Sequence, residues 1–228
     1  MAAETGKVPD INALRKTLMP FAKANVRRAV VQLMDTLVPY FALWAILVYL
    51  VERKYPVALI APILFLAALF LVRIFIIFHD CTHNSFFHSL RANKILGIVT
   101  GLLTFAPFTS WQRNHQIHHG TYADLDHRGV GDIWTLTVEE YLASSRKTQL
   151  SYRLYRNPLV FLGVGPGYSF LVAQRLFNLW DEKRERWSTA ITNVMLLGII
   201  VLASFSIGLR TYLVIQVPIL LLAGAVGV

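Results

Sequence analysis

Seven histidines occur in this 228-residue sequence, and all of them fall between His79 and His127. Imidazole nitrogen ligates iron, copper, nickel or zinc, so histidines grouped in this way point first to a transition metal, while ligand type alone does not choose which. In His79-Asp80-Cys81-Thr82-His83 two rings stand four residues apart, which on a helix puts them on one face. In His115-Gln116-Ile117-His118-His119 the offsets of three and four turn all three rings to one side of a helix. Five imidazoles, from His79, His83, His115, His118 and His119, are therefore expected to converge on metal.

The pattern excludes several metal chemistries. A zinc protease helix wants His-Glu-x-x-His, and neither group carries that glutamate. One or two axial ligands to a haem would leave the other rings unexplained. The Glu and Glu-x-x-His ligands of soluble ferritin-like bundles are also missing. A histidine-rich, oxygen-activating di-iron centre fits best. Acids that accept the second ring N–H would orient such ligands, and Asp80, Asp124, Asp126 and Asp132 are candidates between which the sequence does not choose. His88 and His127 lie outside both groups and are assigned to the surface. Phe86, Phe87, Trp111 and Trp134 are read as interfacial anchors, with an acyl channel wall as the alternative. Lone Cys81 is read as packing.

The elements that must position these rings are membrane helices. Hydrophobic residues make up 55% of the chain and charged ones 15%, with a mean hydropathy of +0.51, too apolar for a water-facing globule. Crossing a bilayer takes about 20 apolar residues. Runs of that kind cover 29–51, 56–78 and 189–208, and a fourth, 212–228, stops while still apolar. The chain is expected to be cut inside its fourth membrane helix, with carboxyl-terminal sequence beyond Val228. Arg73, near the end of the second run, is read as lifting its guanidinium toward the headgroups, an ion pair being the alternative. Two further apolar stretches, 95–111 and 158–180, are rich in Gly and Pro. If 95–111 crossed, the two histidine groups would face opposite sides, so both stretches are read as re-entrant or interfacial.

Charge distribution sets the orientation. Six basic residues lie in 1–28 and twelve in 79–188, against three in the two short loops on the other side. Cytoplasmic flanks retain Lys and Arg, which places the amino terminus and the histidines in the cytoplasm, as in a bacterial inner-membrane protein. The net charge of +9 then reflects topology and headgroups, not a nucleic-acid partner. One cysteine excludes an internal disulfide, and residues 1–28 lack the continuous apolar stretch of a secretory signal. Two regions result: a cytoplasmic segment, 1–28, and a membrane domain, 29–228. The fold class is all-α integral membrane, two transmembrane hairpins with a cytoplasmic histidine cap.

The segments HDCTHNSFF, from His79, and WQRNHQIHHGTYADLDHRGVGDIWTLTVEEY, from Trp111, resemble the integral-membrane fatty acid desaturases, particularly the bacterial acyl-lipid omega-6 or delta-12 type. The resemblance covers 29–228. It implies that His79 and His83 form the first histidine box and His115, His118 and His119 the second. It further implies two iron ions, dioxygen as co-substrate, an acyl-lipid substrate and an external electron donor such as ferredoxin. Thr82 stands where the family commonly has Gly, and the family's third box is absent from this sequence. The chain alone is therefore expected to be an inactive fragment. A related di-iron hydroxylase or ketolase acting on carotenoid, sterol or alkane is the nearest alternative, and a non-enzymatic metal-binding or transport protein a more distant one.

Overall fold

The computed structural model describes residues 11–19, 23–129, 132–177 and 181–227. Among the described residues every regular element is helical. A short helix α1 (Ile11–Leu18) lies in the amino-terminal segment, whose first ten residues fall outside the described ones. Asn25 then caps α2 (Val26–Glu52), its side chain accepting the Arg28 N–H. Lys54, at φ 57°, turns the chain into α3 (Val57–Thr82). After α4 (Leu90–Leu103), α5 (Phe108–Thr121), α6 (Val138–Ala143) and α7 (Arg146–Tyr155) come a π-helical turn (Leu159–Val164) and α8 (Gly165–Leu171). The chain ends in α9 (Lys183–Ser206) and α10 (Leu209–Gly227).

Four helices, α2, α3, α9 and α10, are long and apolar enough to cross a membrane, and they coincide with the four runs read from the sequence. Val228, the last residue of the fourth run, lies outside the described residues. Their outward faces are apolar and open, as with Phe205, Leu202 and Val194, which suits hydrocarbon and not water. Inward, α2, α3 and α10 close around Tyr40, Leu47, Leu71, Ile74, Ile215 and Ile219, with Ala67 and Ala68 letting backbones approach. A second core, of Ile77, Phe78, Cys81, Phe86, Ala106 and Phe108, lies beside the histidines.

Arg73 is held in an ion pair that is half-exposed and not buried. It binds Asp35 at 2.8 Å, with the side chains 45% and 53% exposed. The register of the hairpin explains this: Asp35 is nine residues past the start of α2 and Arg73 nine before the end of α3, so antiparallel packing brings them to one depth.

The stretch 95–111 falls in α4 and α5, which are bent by 100° about a break at 104–107 and bring the second group of histidines back to the first. Two glycines permit the bend. A Cβ on Gly97 would sit 2.1 Å from the Phe108 ring, and one on Gly101 would sit 2.5 Å from the Ala106 carbonyl oxygen. The stretch 158–180 is likewise no single helix. Pro166 lacks an N–H to continue the ladder, and the chain breaks into the π turn, α8 and a 3-10 turn (Ala173–Arg175); residues 178–180 lie outside the described ones.

Candidate metal centre

Helix α3 runs on past its apolar core to Thr82, with His83 as its C-cap, so His79 and His83 project from one face of its last turn. Helix α5 carries the second group through to Thr121. Three polar ties fix these helices and their neighbours. Gln112 donates its side-chain amide to the Thr82 carbonyl at 2.7 Å. Asn93, fully buried, donates to the Phe87 and Ser89 carbonyls and accepts the Phe87 N–H, pinning the loop after His83. Arg113 ties α5 to the start of α9 through the buried Glu185, at 3.2 Å.

Four imidazoles meet as a result. His79, His83, His115 and His119 each offer one nitrogen, and all four atoms lie within 4.8 Å of one another. The Nε2 atoms of His79 and His115 are 2.9 Å apart, those of His83 and His115 3.0 Å, those of His115 and His119 3.0 Å, and those of His79 and His83 3.3 Å. Crowded lone pairs of this kind repel unless a cation or shared protons lie between them. Burial first, and then the neighbouring imidazoles, push the His115 pKa down to about 4, and the same two causes lower that of His83. These rings are neutral at pH 7, the state in which imidazole binds a metal. The donor set is nitrogen alone, since Cys81 is turned into the apolar core. That set suits iron, copper, nickel or zinc.

The fifth expected ligand lies beside the group without joining it. His118 sits with its ring centroid 5.9 Å from that of His119, and its Nδ1 is 2.7 Å from Asp132 Oδ1. Asp132 also accepts the Gly129 N–H through Oδ2. A proton held on Nδ1 by this carboxylate leaves the His118 Nε2 lone pair free. The other acids behave differently. Asp80 lies 3.4 Å from His79 Nδ1, Asp124 holds His127, which is not one of the four converging rings, at 2.8 Å, and Asp126 gives its backbone N–H to Asp124. His88 and His127 are exposed, as expected.

A cavity of about 670 Å³ abuts the histidines. Trp111 is the shared wall: it faces the cavity and stacks on His115, with ring centroids 4.3 Å apart. Phe75, Leu71, Leu220 and Gly224 continue the walls between α3 and α10, and Gln174 is a polar exception. Of the four aromatics singled out from sequence, Trp111 alone lines this space. Phe86 and Phe87 pack in the core beside His83, and Trp134 meets Tyr152 and Tyr155 edge to face. Gln112 and Asn93 were not singled out; the one available signal was a polar residue one helical turn before a histidine box.

A model of the fatty acid desaturases matches residues 54–228, a span that holds both boxes, the α4–α5 bend and the last two long helices. The chain belongs to the fatty acid desaturase family. It is 43% identical over 215 residues to a fatty acid desaturase of Bacillus subtilis, covering 94% of this chain and 60% of that relative. More distant desaturases include the sn-1 oleoyl-lipid 12-desaturase of Synechocystis, 29% identical over 55% of this chain and 35% of the relative. Another is the sn-1 acyl-lipid omega-3 desaturase (ferredoxin) of Nostoc, 25% identical over 58% of this chain and 37% of its own. The chain thus spans 60% or less of the length of these desaturases. No solved structure matches it.

Proposed function

We propose that this desaturase chain supplies part of a histidine-ligated di-iron centre that desaturates a fatty acyl chain with dioxygen. One observation carries the reading: two histidine boxes on separate helices bring four imidazole nitrogens together beside an apolar cavity. His79, His83, His115 and His119 would hold iron, and His118, oriented by Asp132, would add a fifth nitrogen toward a second ion. Bound iron supplies an oxygen-derived oxidant strong enough to take two hydrogens from an unactivated methylene pair. The protein's own share is placement. Trp111 sets the cavity wall against His115, and apolar side chains keep water from a bound acyl chain.

An external reductant such as ferredoxin would deliver the electrons, a proposal supported by the printed name of the Nostoc relative. The basic-residue asymmetry supports a cytoplasmic placement of the segment 1–28 and of the histidines, with 29–228 as the membrane domain in the bacterial inner membrane. Five imidazoles are too few to fill the coordination of two iron ions, so this chain by itself is proposed to turn over no substrate.

The test is a chimera in which the aligned 215 residues replace their counterpart in the Bacillus subtilis relative. Lipid extracts from cells expressing it should contain new carbon–carbon double bonds, and His115→Ala should abolish them. Hydroxylated or keto products instead would favour the hydroxylase or ketolase alternative, and an unchanged lipid profile beside an active parent would overturn desaturation.

A further inference from the structure

From Tyr141 to Trp180 the sequence carries Arg146, Lys147, Arg153, Arg156 and Arg175 and not one Asp or Glu. Within that stretch α7 has two unlike faces. Tyr152 and Tyr155 pack on Trp134, and Tyr152 also meets Tyr141, which fixes the helix to the protein. The other side shows Leu150, 69% exposed, and Leu154, 60% exposed, one helical turn apart. Leu142 on α6 and Leu159 after α7 are exposed as well. None of these leucines belongs to a helix long enough to span a membrane.

The cations around them are not neutralised by the protein. Arg153 donates to the Tyr141 hydroxyl and lies over that ring, while Arg156 lies over the Tyr152 ring and donates to Thr135. Among the described residues none of Arg146, Lys147, Arg153 and Arg156 has a carboxylate partner. The chain then passes from α7 directly into the π turn, which with α8 packs on the candidate membrane helix α10. A leucine row flanked by unpaired cations, at the rim of a membrane helix, matches the chemistry of an anionic lipid leaflet: leucines for the acyl boundary, arginine and lysine for phosphate.

We propose that α7 forms an amphipathic arm that lies on the anionic leaflet and binds its lipid phosphates. An acidic protein partner would meet the cations but would leave the exposed leucines without an apolar counterpart. The arm's contact with lipid needs no metal, so its test is separable from that of the desaturase reading.

The whole chain is placed in nanodiscs of phosphatidylglycerol or of phosphatidylcholine, with nitroxide labels on Leu150→Cys or Leu154→Cys in turn; Cys81 is buried and takes no label. In phosphatidylglycerol both labels should collide with oxygen at least threefold more readily than with a water-soluble nickel chelate. That preference should reverse in phosphatidylcholine, and in an R146E/K147E variant in phosphatidylglycerol. Labels that stay water-accessible in phosphatidylglycerol would overturn the proposal. So would lipid contact indifferent to headgroup charge, or protection that appears only when a ferredoxin is added.

Discussion

Gln112 on α5 donates its amide to the carbonyl of Thr82, 2.7 Å away, in the last turn of α3. That carbonyl is one of the four a helix leaves unpaired at its C-terminus, and pairing it from the next helix fixes the distance between the two histidine boxes. A net worth of about 0.5–1.5 kcal/mol for such a bond corresponds to roughly twofold to thirteenfold in metal affinity. Gln112→Ala should weaken cobalt binding by that factor in a titration followed by visible absorption. Gln112→Glu should not restore it, because an ionised carboxylate only accepts. Unchanged affinity in both variants would show that the boxes hold their spacing without this bond.

The role proposed for Asp132 runs through His118. This carboxylate takes the ring N–H at 2.7 Å and, through its other oxygen, the Gly129 N–H. Loss of a carboxylate that orients a ligating histidine costs on the order of 10–100-fold in metal affinity. Asp132→Ala should fall in that range in the chimeric enzyme, measured as iron retained against a chelator. The decisive measurement is a double-mutant cycle: Asp132→Ala should cost almost nothing further once His118 is already Ala, whereas additive losses would assign the carboxylate another role.

The long helices were readable from apolar run length because membrane helices write their boundaries into composition, as 29–51 and α2 (Val26–Glu52) show. The convergence of His79 and His83 with His115 and His119 was readable too, since i, i+4 spacing on a helix is a property of the local chain. The divergence of His118 was not. It depends on where the loop carrying Asp132 returns, a contact across 14 residues that no periodicity encodes. For Arg73 an ion pair was legible only as an alternative, and its partner Asp35 was not legible at all: each charge alone reads as a boundary residue, and only the register of the hairpin makes them partners.

Acid should loosen the metal-free protein. The His115 pKa lies near 4 in the folded chain, below the 6.5 of an unfolded one, because burial and the adjacent imidazoles oppose protonation. Below pH 6.5 the unfolded state therefore binds a proton that the folded state refuses. Stability from this group is complete above pH 6.5, declines as pH falls, and is gone once pH drops through about 4. Thermal unfolding of chelator-treated protein in detergent should show Tm falling across that window, with a shallower slope for His115→Gln. A Tm that is flat from pH 7 to 4, or a slope unaltered in the variant, would contradict the assignment.

The α4–α5 bend links packing to the metal site, because Phe108 begins the helix that carries His115 two turns later. A methyl group on Gly97 would enter the Phe108 ring at 2.1 Å, so Gly97→Ala must push that helix away from α4. Overpacking of this kind costs about 1–3 kcal/mol. Since Gln112 and His115 ride on the same helix, the displacement should also lower cobalt affinity. A second change separates strain from a general loss of folding: in Gly97→Ala/Phe108→Leu the smaller side chain vacates the space, and metal affinity should recover most of its loss. Phe108 is buried between Phe78 and Ala106, so the double variant gives up some packing and its Tm should stay below that of the parent. Recovery of metal binding without full recovery of Tm is the expected result, and failure to recover metal binding would show that α5 is positioned from α9 through Arg113 and Glu185 instead.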